Sequence, residues 1–237
     1  MISQTLFQYY YPASRPGGTA QFYGWIGEYL TRDAIVLNAG AGDGSSTSQM
    51  SFKGGVKTIV GIDIDADVLN NKFIDQAIHL QTDQWPFRDE YFDLTYCDYV
   101  FEHLENPGIF LKESYRTLKK GGSLFFRTPN KCHYVSLIAR ATPHSFHEFI
   151  ANKVRGFKED AHKPHPTYYR MNCEKEIRRW AVKAGFQEMK FRLVETEPSY
   201  LVFHEIPFIL GVAYERIVNR FEGLKGLRAN IFGRLIK

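Results

Sequence analysis

The chain has 237 residues, 44% hydrophobic and 24% charged, which suits one folded α/β domain with additions and excludes whole-chain disorder or a collagen-like repeat. Its net charge of +4 sits in residues 211–237, where six Lys/Arg face two acids; with no basic face elsewhere, nucleic acid is a poor partner. Three scattered cysteines without a CxxC pair argue against a disulfide framework or a cysteine zinc site. The polar, aromatic residues 1–11 lack the layout of a signal peptide, and the apolar stretch 206–214 is too short to span a bilayer, so a cytoplasmic protein is expected.

In chain order, Phe22, Trp25, Ile26, Tyr29 and Leu30 recur at helical spacing. Short apolar runs follow at Ala34–Leu37, Thr58–Ile62, Ala77–Leu80, Phe92–Tyr96 and Ser123–Arg127, each ending in glycine or polar residues. Asn106-Pro107 starts a helix that carries Phe110, Leu111, Tyr115 and Leu118 on one face and stops at Gly121-Gly122. Asn172 is read as the cap of a helix through Ile177, Trp180 and Ala181 that Gly185 closes. Glu188–Glu195 alternates like a strand, with Leu201–Phe203 as its expected hairpin partner. Strands alternating with helices predict a doubly wound, Rossmann-like α/β fold, whose ligands bind at the carboxyl ends of the strands.

The distinctive residues stand at those ends. Gly40-Ala41-Gly42-Asp43-Gly44 follows the first strand, and each missing Cβ lets backbone approach a ligand. A dinucleotide fingerprint would place glycine where Ser45 stands, so this form suits a ligand without phosphates. Asp63, 19 residues beyond Gly44, is placed to accept bonds from two ribose hydroxyls. Asp83-Gln84-Trp85 after the third strand offers an acid for an adenine amino group and an aromatic face.

These motifs, with Val60–Asp65, Thr82–Asp93, Phe101–Pro107 and Glu113–Gly122, resemble the class I S-adenosylmethionine-dependent methyltransferases over residues 34–130, in the branch that includes quinone-biosynthesis and small-molecule O- and C-methyltransferases. The resemblance implies a seven-stranded sheet with an antiparallel final strand, S-adenosyl-L-methionine as cofactor, and cofactor contacts from Asn38, Gly40, Ala41, Gly42, Asp63, Ile64, Asp83, Gln84, Trp85 and Asp98. Asn38 departs from the family, which usually has Asp or Glu there. Asn keeps an acceptor but loses the charge that meets the cofactor's ammonium, so an inactive cofactor-binding partner stays as an alternative; a nicotinamide-dependent oxidoreductase is disfavoured by Ser45 and Asp83.

Methyl transfer by in-line displacement needs alignment, exclusion of water and, for a hydroxyl, a general base. His103 after the fourth strand and His133 after the fifth are the candidate bases. Residues 131–171, rich in histidine, proline and aromatics, read as an inserted lid, with Tyr168, Tyr169 and Arg170 facing substrate. The pairs His144/His147 and His162/His165 have ligand spacing, but neighbouring prolines and the lack of matching acids or cysteines leave no metal expected. Cys97-Asp98-Tyr99-Val100 lacks the proline pair that grips a flipped base, which again disfavours nucleic acid.

The expected layout is one methyltransferase domain: a helical segment at 1–33, the cofactor core at 34–130, the lid at 131–171, a final helix and strands at 172–204, and a basic helical tail at 205–237. The expected acceptor is a small molecule or a glycan or lipid precursor, methylated at oxygen. Along the tail, Ile209, Ala213, Ile217 and Phe221 form an apolar stripe beside Arg216 and Arg220. It is expected either to dock on the sheet or to make weak contact with an anionic membrane surface. The oligomeric state is left open.

Overall fold

A computed structural model describes residues 2–45, 50–136 and 166–237. The chain divides into two compact units: Phe22–Thr128, Thr167–Arg192 and Ile231–Lys237 form one, and Met1–Gln21, Pro129–Pro166 and Leu193–Asn230 the other.

A seven-stranded sheet organises the larger unit. Its strands are β1 (Ile35–Ala39), β2 (Thr58–Asp63), β3 (Gln76–His79), β4 (Phe92–Asp98), β5 (Leu118–Pro129), β6 (Glu188–Val194) and β7 (Asn230–Ile236), in the order β3-β2-β1-β4-β5-β7-β6. Parallel pairing joins β1 to β2 and β4, β2 to β3, and β4 to β5. The central strands are buried almost throughout, which is why they read as continuous apolar runs rather than alternating ones. β7 runs antiparallel to β5. Gly121 N–H donates to Lys237 O at 2.9 Å and Lys237 N–H to Gly122 O at 3.0 Å, joining the start of one strand to the end of the other. The seven-stranded doubly wound sheet of the sequence reading is present.

Its seventh strand comes from elsewhere than expected. Leu201 ends a single 3-10 turn, Ser199–Leu201, and the strand is Asn230–Ile236, inside the supposed helical tail. Gly233 sits against the Phe126 ring, where an added Cβ would collide, so the glycine that seemed to interrupt a helix is what allows the strand to lie flat there. Helices α2 (Gly18–Gly27), α3 (Pro107–Thr117) and α4 (Glu174–Ala184) fall on the periodic segments, but Tyr29 and Leu30 lie beyond α2, and α3 stops at Thr117, so that Leu118 and Gly121-Gly122 belong to β5 rather than to the helix. Cys173, not Asn172, is the N-cap of α4, whereas Gly185 closes it at φ 113° as expected.

In the smaller unit, α1 (Gln4–Tyr10) packs on α5 (Glu205–Arg220) around Tyr11, Phe208 and Val212. Glu215 is buried on the inner side of α5, where Arg15 Nη2 donates to it at 2.7 Å and Tyr11 Oη at 3.3 Å. The Ile209, Ala213 and Ile217 stripe, continued by Phe221, points to solvent, while Phe208, Gly211, Val212 and Val218 point inward. The helix therefore carries two apolar faces, of which the sequence reading had found the outer one. The histidines His144, His147, His162 and His165, and most of the expected lid, lie outside the described residues.

Candidate functional site

The carboxyl ends of β1, β2 and β4 meet in the larger unit, and the glycine loop folds over them. Gly40 and Ala41 N–H donate to Ile62 O at 2.8 and 3.1 Å, bending the chain back across the end of β2. The bend needs a left-handed residue: Gly40 has φ 79°, and an added Cβ would run into the Val100 side chain. Asn71, unnoticed in the sequence, pins the loop from beneath. Its Nδ2 donates to Ala41 O and Gly42 O, each at 3.0 Å, and its Oδ1 accepts from Phe73 N–H at 2.9 Å. No local pattern marks this buried Asn, since its role depends on a loop 30 residues away. Asn38, buried near the end of β1, pairs in register with Gly61 of β2 and Tyr96 of β4.

Asp63 ends β2 beside this loop. One carboxylate oxygen accepts from Gly42 N–H and the other from Asp65 N–H, both at 2.9 Å. Each oxygen thus keeps a further lone pair for a ligand hydroxyl. Next to it, Ile64 is 70% exposed, an isoleucine standing in solvent where a flat apolar group could cover it. Asp65 accepts from Asp67 N–H and caps the short turn Ala66–Asn70. His79 Nε2 lies 3.1 Å from Ile64 O, tying the end of β3 to this edge, and the exposed Asp83 and Gln84 follow β3. Trp85 departs from the expectation. It is 4% exposed with its ring edge-on to Phe110, and it offers no open face to a ligand; a large apolar ring gains more from this core contact than from solvent.

At the end of β4, Asp98 is bound by Arg127 of β5, which donates Nε to Oδ1 at 2.5 Å and Nη2 to Oδ2 at 2.6 Å. Both side chains are buried, so a ligand meets Asp98 only together with that guanidinium. Burial works against the Arg127 charge, but the Asp98 bonds outweigh it and leave the guanidinium above its ordinary value. Tyr99, in a left-handed conformation at φ 57°, lies under Arg127, whose guanidinium carbon is 4.4 Å from the ring centroid. Arg127 is the second residue that the sequence reading missed: in a strand it resembles any buried-edge arginine until its partner is seen.

The turn after β4 carries Glu102 and His103. Glu102 is buried, and burial pushes its carboxyl up to about 7, against the hydrogen bond it accepts from Thr128 Oγ1 at 3.1 Å. Its carbonyl accepts from Tyr168 and Tyr169 N–H at 2.7 and 3.2 Å, and Arg170 Nη1 donates to Glu105 O at 2.8 Å. The expected substrate residues Tyr168, Tyr169 and Arg170 are thus bonded to the backbone of residues 102–105, the segment that also carries His103. His133 belongs to the smaller unit. There it is buried, with Nε2 3.3 Å from Glu195 Oε2 and its ring 4.1 Å from that of Tyr134.

A nucleoside-sized group suits the larger unit's edge: a carboxylate with spare lone pairs, an exposed isoleucine, an acid after β3, and an outer loop face with open space beside Gly42. No phosphate cradle is needed. Residues 37–126 match a methyltransferase domain family. The chain is 27% identical over 148 residues to the ubiquinone biosynthesis O-methyltransferase of Pseudomonas savastanoi pv. phaseolicola, covering 53% of this chain and 62% of that protein's length. In structure it is similar to a SAM-dependent methyltransferase from Archaeoglobus fulgidus, with a TM-score of 0.57 at 17% identity over 100% of both chains. It is also similar to phosphoethanolamine N-methyltransferase 2 of Haemonchus contortus in complex with S-adenosyl-L-methionine, with a TM-score of 0.56 at 16% identity over 98% of this chain and 56% of that one. Domain match, sheet order and glycine loop agree: residues 37–126 form a methyltransferase domain, carried on a sheet similar to that of S-adenosylmethionine-dependent methyltransferases.

Proposed function

We propose that the protein transfers a methyl group from S-adenosyl-L-methionine to an oxygen of a small molecule or of a glycan or lipid precursor, in the cytoplasm. The observation that carries the reading is Asp63, a carboxylate at the end of β2 whose two oxygens accept from Gly42 and Asp65 N–H and keep lone pairs for a ligand. The cofactor supplies an activated methyl when bound. The chain's part is to hold the ribose at Asp63 and the adenine side near Ile64 and Asp83, and to present the acceptor at the turn of His103, Tyr168, Tyr169 and Arg170. His103 is the base candidate on that turn. Oxygen as the target draws on the Pseudomonas relative, an O-methyltransferase, and the phosphoethanolamine N-methyltransferase of like fold marks nitrogen as the competing choice.

Calorimetric titration with S-adenosylhomocysteine and, separately, NAD tests the cofactor half. Binding of the former alone is expected; binding of NAD alone overturns the reading. Transfer of label from methyl-labelled cofactor to a panel of hydroxylated and aminated acceptors tests the other half. One observation favours a second reading. Asn38 is neutral and buried where the family has an acid, which suits a partner that binds cofactor without turnover. Tight binding with no labelled product from any acceptor would decide for it.

A further inference from the structure

Helix α5 has apolar side chains on opposite faces. Its inner face meets α1, but Ile206 and Leu210 are each 65% exposed on the outer one, with Ile209 and Ile217 beside them. A helix that is apolar all round is ordinarily covered all round. The charges near the outer face indicate what covers it. Arg220 is an exposed residue on that face, Arg216 lies on its edge, and Lys225 follows in the next turn. Arg216 also donates to Tyr10 O, bringing the end of α1, with its 79% exposed Tyr9, to the same edge. Three acids are near: Glu205 at the start of the helix, Glu222, held by Arg228 at 2.9 Å, and the buried Glu215, whose Oε2 lies 3.4 Å from Arg216 Nε while the Arg216 side chain stays half exposed. Amphipathic tyrosine, aliphatic stripe and basic rim together match the surface of an anionic bilayer.

We infer that the outer face of α5 docks this protein on an anionic membrane surface, with Ile206, Leu210 and Ile217 entering the headgroup boundary and Arg216, Arg220 and Lys225 meeting lipid phosphates. The apolar side chains carry most of the attachment, because the rest of the basic tail is engaged elsewhere. Arg228 donates to Val218 O and Leu193 O, Arg234 stacks on Tyr29 at 3.8 Å, and Lys237 lies over Tyr115. No helix among the described residues is long and apolar enough to cross a membrane, so the contact is peripheral.

Pelleting of the full chain with phosphatidylcholine vesicles, with and without phosphatidylglycerol, tests the inference. Binding is expected at low salt to the anionic vesicles. It should fall about tenfold or more in Ile206→Ser/Leu210→Ser and about fivefold in Arg220→Gln. Protein that stays in the supernatant at low salt overturns the proposal, as does pelleting that neither variant weakens. A dimer in sedimentation velocity that Ile206→Ser/Leu210→Ser dissociates, without vesicle binding, assigns the face to a second copy instead. If the double variant fails to fold, Leu210→Trp replaces it. A blue shift of the added indole on mixing with anionic vesicles supports docking, and an unchanged spectrum refutes it.

Discussion

Replacing Glu102 with Gln tests how the turn after β4 is held. Glu102 is 5% exposed, and burial raises its carboxyl from 4.5 to about 7. A raised acid prefers to be neutral in the fold, so between these values the folded protein holds a proton that the unfolded chain has released. Stability is then fullest below about 4.5, declines through the window, and reaches its floor above about 7. The displacement is worth about 3 kcal/mol, and the residue is buried enough for solvent to screen little of it. Glu102→Gln keeps an acceptor for Thr128 Oγ1 but carries no charge at any pH. Urea denaturation followed by circular dichroism at pH 5, 6, 7 and 8 should show small differences from wild type at pH 5. At pH 8 the variant should gain up to about 3 kcal/mol, roughly 6–12 °C in melting temperature for a chain of this size. Parallel stability curves for the two proteins across this range would refute the reasoning.

Asp63→Ala should fold normally and weaken S-adenosylhomocysteine binding by about 1–3 kcal/mol, because charge-assisted bonds to a ligand and to two loop amides are lost together; unchanged affinity by calorimetry excludes the assigned role. Asn71→Ala should also weaken that binding, by about 1–2 kcal/mol, without touching the ligand, since the loop loses its two carbonyl ties; hydrogen exchange of the loop amides should accelerate with it, and unaltered exchange counts against the tie. Asp98→Ala strands a buried guanidinium and should cost about 3–5 kcal/mol of stability in denaturant titration, most of it recovered by adding Arg127→Met. A double variant no more stable than the single one would contradict this account.

What the amino-acid order determined by itself is whatever neighbouring residues decide. Apolar runs closed by glycine or polar residues marked β1 to β5, and Pro107 and Gly185 set helix ends through their own backbone geometry. The glycine loop and Asp63 were legible because backbone approach and strand-end acids are local requirements with a known spacing. Partners distant in sequence were not legible. Whether β6 pairs with Leu201–Phe203 or with Asn230–Ile236 depends on which segment reaches the gap beside β5, and Gly233 looked like a helix breaker until the Phe126 ring gave it a neighbour. The same holds for Trp85, whose ring chose Phe110 over a ligand, and for the Asp98–Arg127 pair and the Asn71 tie, each made between residues about 30 positions apart. Periodicity gave α5 an apolar stripe, but only packing against α1 showed that a second one lies inside and the first faces out. A pattern records which residues share a face, and the energy that buries one face or leaves it in water belongs to the tertiary contact.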